Sequence, residues 1–350
     1  MGTRRITPLP GRGPVFATVA GAAVECKLTG VAIFGETGGV VVNRSENGGR
    51  TQLILDGGLG TELEKKGCKV QDSLWSARVL LENPEIVEQV HREYLEAGAD
   101  CIIAASYQVS FDGFCKAGLS SQDTVNALQA SVAVARRARE AFQTTVQRRP
   151  APILAASIGP YGAALGDGSE FHGNYDCGMH ELREFHSARL AILQESGPDI
   201  LACETIPSLA EAEVILHAVR ERSSIAGWFS FTCRDGLHTA HGERLRECAR
   251  ALEGESVVAA IGVNCTPPEF IASLVQEIRS VTQKPIVVYP NSGQTWDGKN
   301  RCWKGERTSQ DLGTLALEWR RLGATWIGGC CGTSPDDIRR IRSSLSADHC

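Results

Sequence analysis

The 350-residue sequence predicts a single-domain (β/α)8 barrel, and three observations carry that prediction. From Thr51 onward, eight short apolar runs rich in β-branched residues alternate with longer segments of helical spacing. The runs are apolar almost throughout, as parallel strands covered on both faces require, instead of alternating apolar with polar. No G-x-G-x-x-G follows the first run, where Asp56-Gly57-Gly58-Leu59-Gly60 carries its glycines in another order, so a doubly wound sheet accounts for the same βα units less well.

In chain order the runs are Leu53 to Asp56, Cys101 to Ser106, Ile153 to Ser157, Ile200 to Glu204, Trp228 to Thr232, Val258 to Asn264, Ile286 to Tyr289 and Trp326 to Gly329. Several of the helices between them carry start and stop signals. Asn83 is placed to cap a helix opened by Pro84, whose Ile86, Val87, Val90, Tyr94 and Leu95 share one face before Gly98 ends it. Ser208 with Glu211, and Thr266 with Glu269, have capping-box spacing directly after a strand end, and Ser334 before Pro335 and Asp336 repeats the arrangement. The barrel is expected over residues 51–345. Residues 1–50 are expected to form an N-terminal extension, disordered or targeting, because residues 1–24 hold Arg4, Arg5 and Arg12 and no acidic residue.

Composition excludes some function classes. A formal net charge of -5 with scattered Lys and Arg offers no basic stripe for a phosphate backbone, which argues against a nucleic-acid partner. No apolar run approaches the roughly 20 residues of a membrane helix. Thirteen cysteines is an odd count, and Cys101, Cys203 and Cys233 lie inside apolar runs where Cys acts as a small hydrophobe. A reducing compartment, the cytoplasm, is expected instead of a disulfide-stapled secreted fold.

The active site of such a barrel is built where the strands end. Cys265 ends the sixth run, and the pair Cys330 and Cys331 ends the eighth, flanked by Gly328, Gly329 and Gly332. Neighbouring side chains on a regular strand point to opposite faces, so two adjacent cysteines can hold one ion only where the backbone turns, and glycines permit that turn. Three thiolates favour Zn2+, and three protein ligands leave the fourth tetrahedral position open, the mark of a catalytic site. Three ordinary buried cysteines are the bland alternative. Asp56 and Glu204 are carboxylates just past apolar runs, suited to an ammonium group or to capping backbone. Tyr107, Tyr161, Tyr289 and Trp296 could offer aromatic faces to a cation or simply pack. His172, His180, His186 and His241 fall in no metal-binding spacing.

Taken together, DGGLGTELEKKG at the first strand, ADCIIAASYQVS at the second, SIGPYGAALGDGSEFHGNY after the third, CETIP, GVNCTPP, VVYPNSGQTWD and GGCCGTSP resemble the homocysteine S-methyltransferase family, over roughly residues 51–345. The resemblance implies that Cys265, Cys330 and Cys331 bind one Zn2+ per chain, and that Asp56 and Glu204 contact the amino group of homocysteine. It further implies transfer of a methyl group from a sulfonium donor, S-methylmethionine or S-adenosylmethionine, to the homocysteine thiolate, giving methionine, with these small molecules as the substrates. Two rivals stand beside this: a betaine-dependent enzyme sharing the zinc motifs, and a zinc- and thiol-binding barrel without turnover. Donor preference and oligomeric state are left open.

Overall fold

In a computed structural model of the chain, the described residues are 33–34, 40–41, 52–69, 74, 76–146, 151–222, 225–297 and 302–347. The eight apolar runs form eight parallel strands: β1 (Leu53–Ile54), β2 (Cys101–Ile103), β3 (Ile153–Ile158), β4 (Ile200–Ile206), β5 (Gly227–Phe231), β6 (Val258–Asn264), β7 (Ile286–Tyr289) and β8 (Ala324–Ile327). Each strand pairs with its sequence neighbours, and β8 returns to β1 through Trp326 opposite Leu53. A parallel bridge between Leu55 and Cys101 joins β1 to β2 and closes the barrel. The first run was expected to reach Asp56, but the ladder proper stops at Ile54, and the eighth begins at Ala324 and ends before Gly328.

Because both faces of every strand are covered, the core divides in two. Leu55, Cys101, Ala155, Ile200, Ala202, Trp228, Ala260, Val287, Tyr289 and Trp326 fill the barrel interior. The alternate positions pack outward against the helices. Within the interior, Trp228 meets Trp326 and Tyr289 edge to face, with ring centroids 5.9 and 6.4 Å apart. Cys101, Cys203 and Cys233 are buried and free, as small hydrophobes should be.

The helix signals succeed in part. Pro84 opens the helix Pro84–Ala97 and Gly98 ends it in the left-handed region, yet the Asn83 side chain makes no capping bond. Ser208 Oγ accepts from the Glu211 amide at 3.2 Å, completing half of a capping box, while the Glu211 carboxylate turns to other partners. Thr266 caps nothing: its hydroxyl accepts from the Cys233 amide and donates to the Asn264 carbonyl, and the helix Pro268–Arg279 starts behind Pro267. Ser334 is bonded through both its amide and its hydroxyl to Asp337, one residue beyond the expected Asp336.

Outside the barrel, Thr295–Asp297 and Cys302–Lys304 form an antiparallel hairpin, and Ile33–Phe34 pairs with Val40–Val41. The rest of the expected extension over residues 1–50 lies outside the described residues. Among the described residues no helix is long and apolar enough to cross a membrane.

Candidate active site

Two loops bring the three cysteines together. Cys265 follows β6 directly and takes a positive φ of 46°, a conformation that costs an ordinary residue roughly 1–2 kcal/mol and swings its side chain out of strand alternation. The Tyr289 carbonyl holds its amide at 3.1 Å. After β8 the chain turns at once. Gly329 lies so close to Thr333 that a Cβ would stand 2.3 Å from its Oγ1, and Gly332 has φ of 79°. Thr333 closes the turn by donating its amide and its hydroxyl to the Cys330 carbonyl at 3.0 and 2.6 Å.

The consequence is that the Sγ atoms of Cys265, Cys330 and Cys331 all lie within 4.8 Å of one another, the one cluster of its kind among the described residues that could hold a metal ion. A tetrahedral zinc with bonds of about 2.3 Å would separate its sulfurs by roughly 3.8 Å, so this donor set fits that ion in chemistry and in spread. Hydrogen bonds from Cys265 and Cys330 pull the Cys331 thiol well below its ordinary range, while that sharing, with burial behind it, pushes Cys265 up. None of the four histidines approaches the cluster. His186 is buried against Glu211 at 2.9 Å, His180 and His241 face Glu184 and Glu243, and His172 is exposed.

All three cysteines line one wall of a cavity of about 160 Å³ at the strand ends, together with Asp56, Tyr107, Glu170, Phe171, Glu204, Thr205 and Tyr289. Asp56 is 4% exposed, and its Oδ2 accepts the Ile103 amide at 2.8 Å. Burial drives its carboxyl well above the usual range, and the charge of Glu204 pushes the same way. Glu204 is held at both oxygens, by Ser157 Oγ at 2.5 Å and by the Tyr289 hydroxyl at 3.0 Å. Burial pushes its carboxyl up to about 8, with Cys330 adding to the rise and the two hydrogen bonds offsetting part of it.

Glu204 owes its aim to an irregular strand end. The register of β4 against β5 shifts between Cys203 and Ile206, and Thr205 takes φ of 58°. Asn264, the last residue of β6, clamps that strained residue: its Oδ1 accepts the Thr205 amide at 2.7 Å and its Nδ2 donates to Thr205 Oγ1 at 2.7 Å.

The aromatic candidates separate. Tyr289 lines the cavity but spends its hydroxyl on Glu204, itself supported by Trp228 Nε1 at 2.9 Å. Tyr107 also lines it, and its carbonyl is fixed by the buried Arg189 at 2.9 Å. Tyr161 packs instead with Tyr175 and Phe185. The Trp296 side chain lies outside the described residues. Sequence reasoning did not single out Ser157, Asn264, Arg189 or Glu170. Ser157 and Asn264 carried a local signal as polar residues ending apolar runs, and Glu170, inside the GDGSEF stretch, as a carboxylate among glycines.

A family model described as homocysteine S-methyltransferase matches residues 53–345. The chain is 47% identical over 292 residues to homocysteine S-methyltransferase YbgG of Bacillus subtilis, covering 83% of this chain and 93% of that protein. It is 42% identical over 293 residues to the homocysteine S-methyltransferase of Escherichia coli, covering 83% and 94%. The metallated crystal structure of the homocysteine methyltransferase MmuM from Escherichia coli matches with a TM-score of 0.76 at 39% identity, over 84% of this chain and 96% of that one.

Proposed function

This chain belongs to the homocysteine S-methyltransferase family and is a methyltransferase, and we propose that it moves a methyl group from a sulfonium donor to the thiol of L-homocysteine at a Zn2+ ion held by Cys265, Cys330 and Cys331. The single observation that carries this is the convergence of three soft sulfur donors, within 4.8 Å, on a cavity whose charged lining among the described residues is entirely acidic. When bound, zinc supplies the Lewis acidity that lets a thiol of ordinary pKa about 8.5 shed its proton at neutral pH.

The chain's own residues do the positioning. Asp56 and Glu204 take the α-ammonium of homocysteine between them, and its positive charge offsets the desolvation that otherwise raises both carboxyl groups. Ser157 and Tyr289 orient Glu204, and the Ile103 amide orients Asp56. The substrate sulfur then forms its bond to the methyl carbon as the donor's carbon–sulfur bond breaks, the bonding pair staying on a now neutral thioether. The thiol proton leaves to solvent. Residues 51–345 make up the catalytic domain, with residues 1–50 as an extension before it.

Zinc-loaded protein given homocysteine with S-methylmethionine, S-adenosylmethionine or betaine separately, and scored for methionine by mass spectrometry, tests the reading. Methionine from a sulfonium donor is the expected result. Turnover with betaine alone would replace the donor class, and zinc binding with no turnover would leave a thiol-binding barrel.

A further inference from the structure

Four acidic side chains, Asp56, Glu64, Glu170 and Glu204, line the cavity, and no Lys, Arg or His does so among the described residues. If homocysteine's ammonium engages Asp56 and Glu204, the reading on which this inference rests, Glu170 is left as a buried carboxylate whose hydrogen bond comes from its own amide and which has no cationic partner among the described lining residues. It is 8% exposed, and its Oε2 is sealed from solvent with no hydrogen-bond partner. Such a group is costly to keep unless something else compensates it. Burial pushes the carboxyl up to about 7.

The segment that presents Glu170 is held in place by local hydrogen bonds and close packing. Glu170 sits in the 3-10 turn Ser169–Phe171 of the loop after β3. Asp167 Oδ1 accepts from the Ser169 amide at 3.0 Å and from its hydroxyl at 2.5 Å, fixing the entry to the turn. The turn presses onto the helix Tyr161–Leu165 so tightly that a Cβ on Gly162 would stand 2.3 Å from the Glu170 amide nitrogen. Phe171 and Tyr107 line the same cavity, and the charge of Glu170 is felt at Tyr107 and at Cys331. The Glu170 carboxylate therefore shares one cavity with the cysteine cluster and with aromatic surface.

We infer that Glu170 is a specificity-determining residue for the methyl donor, holding the donor by an ion pair to its sulfonium centre. The donor carries that positive charge only before transfer, because the thioether it becomes is neutral. The pair therefore favours the incoming donor over the departing product. Charge on the donor is already dispersing in the transition state, so the interaction strengthens the ground state at least as much and acts on donor KM, not on kcat.

Steady-state kinetics of the zinc-loaded full chain with S-methylmethionine, comparing wild type with Glu170→Gln and Glu170→Asp, test this. Glu170→Gln is expected to raise donor KM about tenfold or more while homocysteine KM stays within about twofold and kcat is not lowered. Glu170→Asp keeps the charge and is expected to hold donor KM within about threefold of wild type. Methionine, used as an inhibitor competing with the donor at saturating homocysteine, retains the ammonium and carboxylate but lacks the sulfonium charge, so its inhibition constant should not move. An unchanged donor KM in Glu170→Gln overturns the inference, as does a methionine constant that rises in step with donor KM, which would place the ammonium at Glu170. Equal rises in both substrates' KM, or loss of bound zinc, would make Glu170 a structural residue. Wild type that makes no methionine from S-methylmethionine would instead sink the donor reading beneath it.

Discussion

Replacing Glu170 with Gln should change how stability depends on pH, by an amount that follows from its burial. The carboxyl moves from an ordinary value of 4.5 up to about 7 in the folded chain, because burial disfavours the charge. A carboxyl raised on folding binds more protons in the native than in the unfolded state between those two values. Its contribution to stability is therefore fully present below pH 4.5 and is lost as pH rises through 7. The full span is about 3 kcal/mol, most of which falls between pH 5 and pH 8. Glutamine keeps the shape and cannot titrate. The variant should gain on wild type by that amount over that interval, measured as the difference in urea-unfolding free energy at pH 5, 6, 7 and 8 without donor and with metal content held equal. Asp56 and Glu204 are buried in both proteins and their shared contribution cancels in the difference. Parallel stability curves would refute the reasoning, showing that the Glu170 carboxylate finds compensation inside the empty protein.

Two further outcomes concern the cysteine cluster and its support. Cys265→Ser and Cys331→Ser should each drop bound zinc from about one per chain to near zero by elemental analysis, with an unaltered far-ultraviolet circular dichroism spectrum, since the barrel core is built from other residues. Asn264→Ala leaves the buried Thr205 amide without its acceptor and frees a strained residue, so it should cost about 2–4 kcal/mol in chemical denaturation and raise homocysteine KM through Glu204. Unchanged stability in that variant would mean that Thr205 needs no clamp.

The fold was legible because a parallel strand buried on both faces writes its burial into consecutive residues, as Ile286–Tyr289 does over its whole length and Val258–Asn264 does at every position but Ala259. The cysteines were legible for a related reason: each follows such a run, and the glycines around Cys330 and Cys331 mark the turn they need. Boundaries and caps were less so. Trp326 reads as the start of the last strand because Thr325 interrupts the apolar pattern, yet the ladder begins at Ala324. Thr266 has the spacing of a cap, but its hydroxyl is claimed by Cys233, 33 residues away.

The same distance in sequence hides what makes the site work. Glu204 depends on Ser157 and Tyr289, 47 and 85 residues off, and Thr205 depends on Asn264, 59 residues off, partners that only barrel closure brings together. A residue type at a strand end therefore states what chemistry is on offer, whereas its protonation and aim are set by neighbours that no local pattern encodes. Glu170 shows the limit from the other side. In sequence it is one acidic residue in a glycine-rich loop, where solvent exposure is the default expectation. It becomes significant only because the loop folds inward onto Gly162 and leaves Oε2 buried without a hydrogen-bond partner beside a cavity with no basic lining residue among those described, an arrangement that a cationic ligand would compensate.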